Sequence, residues 1–326
     1  MLEIAVGEDR SPGSLHLVDA PVPQPRAGEL LIKVAYAGIN RPDLMQRSGA
    51  YPAPADASPV LGLEVSGQVA ALGEGVSGWQ VGDAVCALTP GGGYAQWCTT
   101  PAGQALPVPR NISLEHAAAL PENWFTVWAN LVLHGRLQAG ESLLVHGGSS
   151  GIGIAASQLA QLLGASCLVT VGNTEKARFC EAFTGARAIN YQSEDFASRV
   201  RELTDGEGVD VVLDMVAGDY TARNLSVLRQ DGRLVLIATQ RGAKAEVDFR
   251  QVMRNRLVIT GSTMRPRSIA EKTAIRDALL LRVWPALAAG KVRPHVHAAF
   301  PLAEAAAAHR LMESGNFLGK IVLRAE

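Results

Sequence analysis

The chain has 326 residues, of which 48% are hydrophobic and 19% are charged, and its formal net charge is -1. This length favours two domains over one, and the composition is that of a globular protein with a large core. The near-neutral charge argues against nucleic acid or an anionic membrane as partner, and no run approaches the ~20 apolar residues of a membrane span. We therefore expect a cytoplasmic enzyme, and its four cysteines, which form no CxxC pair, fit a reducing compartment.

The first part of the chain, up to about residue 118, has the pattern of a β-rich domain. Its apolar runs are short and are separated by Gly and Pro, which is typical of strands joined by turns. The strand candidates are ELLIKVAYAGI (29–39), LEVSGQVAAL (63–72) and DAVCAL (83–88).

From about residue 121 to 263, strands alternate with helices. Most strand candidates are continuous apolar runs, as expected of parallel strands covered on both faces. They are SLLVHG (142–147), SCLVTVG (166–172), RAINY (187–191), VDVVLDMV (209–216), GRLVLIAT (232–239) and LVITGST (257–263), and two of the helix candidates are IGIAASQLAQLLG (152–164) and TEKARFCEAFTG (174–185). Six strands with intervening crossovers predict an α/β fold with a doubly wound parallel sheet.

The remaining segment, from about residue 264 to 326, is too short to fold alone, so we expect it to complete the first domain. It carries two helix candidates, AEKTAIRDALLLRVWPALAAG (270–290) and LAEAAAAHRLMESG (302–315), and a last strand, GKIVLR (319–324). The predicted domains are residues 1–120 with 264–326, and residues 121–263.

A cluster of glycines and serines, LLVHGGSSGIG (143–153), ends the first strand of the alternating block and opens a helix. Such a cluster is an ordinary tight turn in many proteins, so its context decides the interpretation. The N–H groups and the dipole of a helix N-terminus would point at a bound phosphate, and Gly148, Gly151 and Gly153 permit a close approach that a Cβ would obstruct. We predict a nucleotide site here, and not a P-loop, because GxxxxGK[ST] does not occur in the chain.

The next strand indicates which dinucleotide binds. NAD sites commonly place Asp or Glu at the end of the second strand to hold the ribose 2′-hydroxyl, whereas this strand ends in Gly172 and Asn173. Because no carboxylate repels a 2′-phosphate, and because Lys176 and Tyr191 follow nearby, the pocket suits NADPH. The alternative is that Lys176 only lies on a solvent-exposed face of its helix and binds no cofactor.

Together these motifs resemble the medium-chain dehydrogenase/reductase superfamily, and within it the zinc-free quinone oxidoreductases. The matching stretches are AGINRPDLMQRSGAY (37–51), LGLEVSGQV (61–69), VGDAVCAL (81–88), PGGGYAQW (90–97), AAALPENWFTVWANL (117–131), HGGSSGIGIAASQLAQ (146–161) and GKIVLR (319–324). The first of these and PGGGYAQW are most similar to the tumour-suppressor-inducible NADPH quinone oxidoreductase subgroup. The resemblance implies a β-rich GroES-like catalytic domain, completed by the C-terminal segment, and a Rossmann dinucleotide-binding domain.

The superfamily's alcohol dehydrogenases differ from this chain where they hold catalytic zinc. By resemblance, they carry a cysteine at the position of Asn40 and a histidine at the position of Leu63, and Asn and Leu supply neither a thiolate nor an imidazole. Their structural zinc needs four closely spaced cysteines, which are absent between Cys86 and Cys98. We expect no metal. Without a Lewis acid, the substrate must accept hydride readily, as quinones and α,β-unsaturated carbonyls do.

Two residues are candidate hydrogen-bond donors to the oxyanion that forms on such an acceptor. Asn40 and Tyr51 both belong to the stretch in which the zinc enzymes build their site. Each has an alternative role: Asn40 shapes the turn before Arg41, and Tyr51 caps an apolar wall. By resemblance, Asp43 orients this loop rather than transferring protons.

Further cofactor contacts follow from the fold and the resemblance together. They lie in the first turn after the glycine cluster, at the carboxyl edge of the sheet, at the start of the Rossmann domain and in the C-terminal segment 264–326. These residues are Thr126, Ser150, Gly151, Ile152, Gly172, Val216, Thr239, Gln240, Asn316 and Phe317. For the stretch SGNFLGK (314–320), the second interpretation is a helix end followed by a turn into the last strand, and both can hold.

The sequence thus predicts NADPH-dependent, zinc-free reduction of a small quinone by hydride transfer. An enone or enoyl reductase needs the same pocket chemistry, and a non-catalytic NADPH-binding protein similar to the lens crystallins of this branch also stays open. A short-chain dehydrogenase is excluded because none of the five tyrosines has a lysine four residues later. The branch implies a homodimer or homotetramer, paired through the edge strand LVITGST (257–263).

Overall fold

The computed structural model describes residues 1–325. Up to residue 127 the chain forms short strands joined by turns, with three short helices. Strands β1 to β7 are Leu2–Val6, Leu15–Asp19, Glu29–Gly38, Glu64–Leu72, Ala84–Leu88, Trp97–Pro101 and Ala105–Pro107, and helices α1 to α3 are Arg41–Arg47, Leu114–Ala117 and Pro121–Val127. Single 3-10 turns form at Pro12–Ser14 and Ala102–Gln104. The three strands predicted in this region correspond to β3, β4 and β5.

After residue 127 the chain continues as π-helical turns at Trp128–His134 and then alternates between strands and helices. Strands β8 to β13 are Ser142–His146, Ser166–Val171, Arg187–Asn190, Val209–Asp214, Leu228–Leu236 and Val258–Gly261. Helices α4 to α8 are Gly151–Leu163, Thr174–Thr184, Phe196–Leu203, Tyr220–Ser226 and Phe249–Asn255. Each strand and helix predicted in this region forms, with ends that differ by a few residues.

The six strands of this region form one parallel sheet in the order β10-β9-β8-β11-β12-β13. Every residue of β11, in the middle of the sheet, is buried, as a parallel strand covered on both faces requires. This is the doubly wound arrangement that the sequence predicts. Ligands bind such sheets at the carboxyl ends of the strands, where the order reverses between β8 and β11.

The last segment forms three helices and two strands. Helices α9 to α11 are Ile269–Arg282, Trp284–Ala288 and Ala305–Ser314, strands β14 and β15 are Val296–Pro301 and Lys320–Arg324, and a 3-10 turn lies at Leu302–Glu304. Strand β15 pairs with β3, so that the sheet runs β14-β15-β3-β4-β5-β7, with β6 also paired to β3. The C-terminal segment therefore completes the first domain, as predicted.

The chain divides into two compact units. The first unit contains residues 1–125 and the segment from Arg265 onward, and the second unit contains residues 126–264. Strands β3 and β15 share the core of the first unit through Ile32 and Ile321, which are both fully buried. The second unit has a separate apolar core around its parallel sheet. No helix in the described part of the chain is long and apolar enough to cross a membrane.

The segment 270–290, predicted as one helix, forms two, so that prediction is wrong. Helix α9 ends at Arg282 and α10 begins at Trp284, with Val283 between them at a φ of -108°. Pro285 explains the break, because proline has no N–H to donate and its ring clashes with the carbonyl four residues before it.

Candidate functional site

The glycine-rich turn between β8 and α4 presents backbone rather than side chains. A Cβ on Gly153 would lie 2.4 Å from the carbonyl oxygens of Gly147 and Gly148, so a larger residue fits only if the turn moves. The Ser150 hydroxyl caps the helix, because it accepts a hydrogen bond from the Gly153 N–H at 3.1 Å and donates one to the Gly147 oxygen at 2.7 Å. The turn is therefore held in one compact shape.

Two predicted contacts, Gly151 and Ile152, are the first residues of α4. N–H groups in the first turn of a helix have no acceptor within the helix, and the helix dipole favours a negative charge there. The turn thus fits the diphosphate of a dinucleotide on two grounds: a Cβ is absent at Gly153, and the N–H groups of Gly151 and Ile152 are available as donors.

A buried polar network next to this turn joins the ends of three strands. His146, the last residue of β8, is fully buried, and its Nδ1 and Nε2 lie 2.9 Å from Thr170 Oγ1 and 2.7 Å from Asn224 Oδ1. The Asn224 amide nitrogen donates to Asp214 at 2.9 Å, so His146 Nε2 carries the hydrogen that Asn224 Oδ1 accepts. Burial lowers the pKa of His146, which keeps the ring neutral. Polar residues at the ends of apolar strands were the sequence signal for this network, which was not predicted.

The end of β9 carries no carboxylate. Gly172 packs against the Tyr191 phenol, whose oxygen would lie 2.9 Å from a Cβ at position 172. Asn173 caps α5 by accepting a hydrogen bond from the Lys176 N–H at 2.8 Å. The Lys176 side chain is partly buried, and desolvation lowers the pKa of its ammonium group. The structure thus brings Gly172, Lys176 and Tyr191 to the carboxyl ends of β9 and β10, where an ammonium and a hydroxyl suit a phosphate.

The predicted contacts Val216, Thr239 and Gln240 follow the carboxyl ends of β11 and β12. The Val216 N–H donates to Asp214 Oδ1 at 2.6 Å, and its carbonyl accepts a hydrogen bond from the Arg241 N–H at 2.8 Å. Thr239 and Gln240 are exposed. The two strand ends are therefore tied together at the edge of the sheet where dinucleotides bind.

Three further predicted cofactor contacts differ in their exposure: Thr126, Asn316 and Phe317. Thr126 is partly exposed, and its carbonyl accepts a hydrogen bond from the Asn130 amide at 2.9 Å. Asn316 is exposed, whereas Phe317 packs against the core of the first unit. Helix α11 ends just before Gly315, which has a φ of 68°. The interpretation of residues 314–320 as a helix end is confirmed, and their cofactor role stays a prediction.

In the first unit, Asn40, Glu64 and Lys320 form a cluster, which we call the buried polar cluster. Lys320 Nζ lies 2.5 Å from Glu64 Oε1 and donates to Asn40 Oδ1 at 2.6 Å and to the Ile39 carbonyl at 2.9 Å. The Asn40 amide nitrogen donates to Glu64 Oε1 at 2.9 Å and to the Gly38 carbonyl at 3.4 Å. Each of the three side chains is at most 6% exposed. A direct hydrogen bond from Asn40 to a substrate would require it to give up one of these contacts.

Asp43 fixes the start of α1. Its carboxylate accepts hydrogen bonds from the Asn40 N–H at 2.7 Å, the Gly62 N–H at 3.2 Å and the Tyr94 hydroxyl at 3.3 Å. Burial raises the pKa of Asp43 to about 7, although the N–H donors and the charge of Lys320 oppose the rise. With its oxygens occupied, Asp43 is placed to orient the loop.

The hydrogen bonds continue from Asp43 to α11. Tyr94 Oη lies 3.0 Å from His309 Nε2, and Arg47 Nη1 donates to His309 Nδ1 at 2.9 Å. Because a guanidinium only donates, His309 carries its hydrogen on Nε2 and donates it to Tyr94. Arg47 also pairs with Glu313 at 2.5 Å, and burial lowers the pKa of His309 to about 3. Sequence reasoning missed this chain of contacts because His309 lies 215 and 262 residues from its two partners.

Tyr51 lies against the guanidinium of Arg265, whose Cζ is 5.6 Å from the centroid of the ring. Arg265 also donates to Gln46 Oε1 at 2.8 Å and to the Pro90 carbonyl at 2.9 Å, so it connects the ring to helix α1 and to the loop after β5. Desolvation raises the pKa of the Tyr51 phenol, which therefore stays protonated at neutral pH. None of the described residues forms a hydrogen bond with its hydroxyl, which is available to a ligand.

Glu122, at the start of α3, is a candidate that the sequence analysis missed. Its N–H donates to Glu64 Oε2 at 2.9 Å. Its side chain is only partly exposed, and the carboxyl group forms no hydrogen bond with any described residue. Desolvation raises the pKa of Glu122 to about 8, and the charge of Glu64 adds to the rise. The signal in the sequence was a glutamate inside the motif AAALPENWFTVWANL, to which we gave no role.

Among residues 1–325, no group of three or more His, Cys, Asp or Glu side chains is arranged to hold a metal ion. Of the two positions compared with zinc ligands, Leu63 is buried in the apolar core, and Asn40 bonds to Glu64 and Lys320. The positive charge beside Glu64 is the ammonium group of Lys320.

Two family models match the chain. The alcohol dehydrogenase GroES-like domain matches residues 26–110, which include β3 to β7. The model described as zinc-binding dehydrogenase matches residues 184–323. The two matches together reach into both units.

Curated relatives match nearly the whole chain. A quinone oxidoreductase from Rattus norvegicus is 30% identical over 329 residues, which cover 99% of this chain and 97% of that protein. A phenolphthiocerol/phthiocerol polyketide synthase protein from Mycobacterium tuberculosis is 32% identical over 300 residues, or 92% of this chain. The matched region is only 14% of that synthase protein, so this chain spans a small part of its length.

Solved structures share the fold over the full chain. A quinone oxidoreductase from Escherichia coli in complex with NADPH is 30% identical, with a TM-score of 0.86 and coverage of 99% of this chain and 100% of that chain. An NAD-dependent alcohol dehydrogenase (31% identity, TM-score 0.86, 100% of both chains) and the CurK enoyl reductase (28%, 0.86, 99% and 98%) are as similar. The rat relative matches the chain over nearly its full length, and these structures share its fold. The chain therefore belongs to the medium-chain dehydrogenase/reductase superfamily.

Proposed function

We propose that this protein is an NADPH-dependent reductase of quinones that needs no bound zinc. The observation that carries the proposal is the buried polar cluster, in which Asn40, Glu64 and Lys320 satisfy one another. An ammonium group does not ligate zinc, and thiolates and imidazoles, its usual partners, are absent from the cluster. A metal ion would have to compete with Lys320 for Glu64.

This arrangement restricts the substrate. A simple ketone is a weak hydride acceptor that a Lewis acid helps to polarise, whereas a quinone accepts a hydride readily because its product is an aromatic hydroquinone. When bound, NADPH supplies that hydride. The chain's own residues need only orient the acceptor and stabilise the negative charge that develops on its oxygen. Tyr51 suits this task, because its hydroxyl is protonated and forms no hydrogen bond with any described residue.

Asn40 acts differently from Tyr51 in this proposal. Its amide hydrogens bond to Glu64 and Gly38, so it fixes the cluster and the start of α1. The loop after α1 carries Tyr51, and Arg265 lies against the ring. Asn40 is therefore a positioning residue, and Tyr51 is the direct donor.

NADPH fits the second unit better than NADH does. The turn around Gly153 fits the diphosphate, and Lys176 with Tyr191 suits a 2′-phosphate at a strand end that lacks a carboxylate. The Escherichia coli quinone oxidoreductase structure is an NADPH complex, which supports the same cofactor here. The further proposed contacts are Thr126, Ser150, Gly151, Ile152, Gly172, Val216, Thr239, Gln240, Asn316 and Phe317.

An enone or enoyl reductase is the second candidate. It is favoured by the similarity to the CurK enoyl reductase and by the match to a polyketide synthase. Its acceptor becomes a delocalised enolate, so Tyr51 would serve it in the same way. A third possibility, a protein that binds NADPH without catalysis, differs in that it would oxidise no cofactor.

We also propose that two copies of the chain pair through β13. This strand lies at the edge of the parallel sheet, and its Val258 and Ile259 side chains are exposed, as are Phe249 and Met253 on α8. An open strand edge beside exposed apolar side chains favours pairing with another copy. Light scattering tests this: a dimeric or tetrameric mass is expected for the wild type and a monomeric mass for Ile259→Lys, and a monomeric wild type would contradict it.

A panel of acceptors tests the proposed activity through the oxidation of NADPH. We expect turnover with 1,2- and 1,4-quinones, faster with NADPH than with NADH, and no NADP-dependent oxidation of simple alcohols. Faster turnover with α,β-unsaturated thioesters than with any quinone would favour the enoyl reductase. NADPH binding without turnover of any acceptor would favour the non-catalytic protein, and robust alcohol oxidation would contradict the proposal.

A further inference from the structure

Reduction of a quinone or an enone needs a proton as well as a hydride. The first unit places several ionisable groups around the buried polar cluster, and they differ in whether they can give a proton to a ligand. We propose that the carboxyl group of Glu122 donates the proton to the acceptor oxygen. This inference deepens the proposed function and rests on it.

The backbone of Glu122 is fixed while its carboxyl group is open. The Glu122 N–H donates to Glu64 Oε2 at 2.9 Å, which places the start of α3 directly on the buried polar cluster. The carboxyl group itself has no hydrogen-bond partner among the described residues, although the surrounding protein shields much of the side chain. The carboxyl oxygens nevertheless keep some exposure to solvent, so a ligand can reach them. A ligand oxygen would supply the missing partner.

The other ionisable groups of this region are less suited to giving a proton to a ligand. Asp43 is fully buried, and its oxygens already accept three hydrogen bonds, so it does not reach a ligand. The N–H groups of Lys320 donate to three oxygen acceptors. The Tyr51 hydroxyl is open, but desolvation raises the pKa of the phenol, so it stabilises an oxyanion without readily giving up its proton. Glu122 is therefore the acidic group whose carboxyl is free of hydrogen bonds to the described residues and can donate a proton to a ligand.

The charges around Glu122 set its protonation state. The groups that face it are Asp43, Tyr51, Glu64, Arg265, Lys272 and Lys320. The two carboxylates disfavour a third negative charge, the cations favour it, and desolvation, the largest effect, raises the pKa of Glu122 to about 8. Glu122 is therefore mostly protonated at pH 7 and loses its proton as the pH rises through about 8. A pKa close to the working pH is what general acid catalysis requires.

The step is a single proton transfer. The acceptor, once it has gained the hydride with its electron pair, carries a negative charge on one oxygen. The O–H bond of the Glu122 carboxyl breaks, an O–H bond forms on the acceptor, and Glu122 is left as a carboxylate. The nearby charges of Lys272 and Lys320 stabilise that carboxylate until a proton from water restores the acid.

The variant Glu122→Gln removes the acidic proton and keeps the shape of the side chain. Glu115→Gln is the matched control, because Glu115 is also partly exposed in the first turn of a short helix, α2. Steady-state turnover is measured across neutral and alkaline pH with 1,4-quinones whose hydroquinones differ in acidity. A strongly acidic hydroquinone leaves as its anion and needs no proton, whereas a weakly acidic one needs it.

We expect Glu122→Gln to slow the reduction of quinones with weakly acidic hydroquinones by about a hundredfold or more, the scale of general acid catalysis. Quinones with strongly acidic hydroquinones should be nearly unaffected, and Glu115→Gln should match the wild type with both classes. For the first class, the wild-type rate should fall above about pH 8, and this fall should be missing in Glu122→Gln.

Equal losses for both quinone classes, with the alkaline fall retained, would indicate a merely structural role and overturn the inference, as would wild-type rates in the variant. Failure of the wild type to reduce any quinone or enone would reject the proposed function instead, and the inference falls with it. Carbon-13 NMR of labelled glutamate carboxyls gives a test without turnover. A resonance that titrates near pH 8 and is missing from Glu122→Gln is expected, and its absence from the wild type would overturn the inference.

Discussion

The candidate site of the second unit consists mainly of backbone groups, whereas that of the first unit consists of side chains. The turn in the second unit is continuous in sequence, from His146 to Gly153, and it offers mainly backbone N–H groups. The buried polar cluster of the first unit is assembled from the side chains of Asn40, Glu64 and Lys320, which are far apart in sequence. The turn depends on where side chains are absent, whereas the cluster depends on charges that neutralise one another. The two sites should therefore fail in different ways when they are changed.

The largest expected effect comes from breaking the buried ion pair. Lys320→Met leaves the Glu64 carboxylate buried without its ammonium partner, so the free energy of unfolding should fall by roughly 3–5 kcal/mol. Equilibrium denaturation measures this loss. The double variant Lys320→Met, Glu64→Gln removes both charges and should recover much of the stability. A double variant no more stable than the single one would show that the cluster does not depend on charge neutralisation.

Side chains at the rim of the second unit's site should change cofactor preference rather than stability. Lys176→Ala should weaken NADPH binding about tenfold to a hundredfold, because a charge-assisted hydrogen bond contributes roughly 1.5–3 kcal/mol. NADH has no 2′-phosphate, so its affinity is the internal control and should hardly change. Calorimetric titration of both cofactors measures the effect, and equal affinities of the wild type for NADPH and NADH would reject this role of Lys176.

The fold and the nucleotide turn could be predicted because their signals are local. Apolar runs identify the parallel strands, and the glycines from Gly147 to Gly153 follow the first of them directly. The missing carboxylate at Gly172 and Asn173 is also visible in one short stretch. Strands, helices and turns depend mainly on residues that are neighbours in sequence. Such local patterns can be read from a single sequence.

The first unit's site could be predicted only in part. Asn40 and Tyr51 lie in one motif, but the partners that engage Asn40 come from β4 and β15, and Arg265, which lies against Tyr51, comes from the C-terminal segment. Pairing between distant side chains leaves no periodic signal in the sequence. For the same reason Glu122 was overlooked, because its raised pKa arises from charges and desolvation that only the folded chain creates.

The backbone of the turn is tested by Gly153→Ala. The added methyl group would lie 2.4 Å from two carbonyl oxygens, so the turn must shift. Such crowding costs about 1–3 kcal/mol, and NADPH should bind roughly tenfold to a hundredfold more weakly. Gly13→Ala, where the methyl group would meet only an ordinary contact at 3.5 Å, is the control. Unchanged NADPH affinity in Gly153→Ala would show that the turn is not the diphosphate site.

The smallest expected effect is on turnover in the first unit. Tyr51→Phe should lower kcat for quinone reduction about tenfold, less than the hundredfold typical of oxyanion donors, because quinones are reactive. NADPH affinity should be unchanged, since the hydrogen bond forms only as charge develops on the acceptor. Tyr36→Phe, on β3, is the control. A variant with the wild-type kcat at saturating NADPH would remove Tyr51 from the proposed mechanism.

Reduction without a metal is tested most directly by measuring zinc content and quinone turnover on one sample, before and after dialysis against a chelator. Because Asn40, Glu64 and Lys320 satisfy one another, we expect zinc far below one ion per chain and the same rate with NADPH after dialysis. One zinc ion per chain whose removal abolishes turnover would contradict the proposed function.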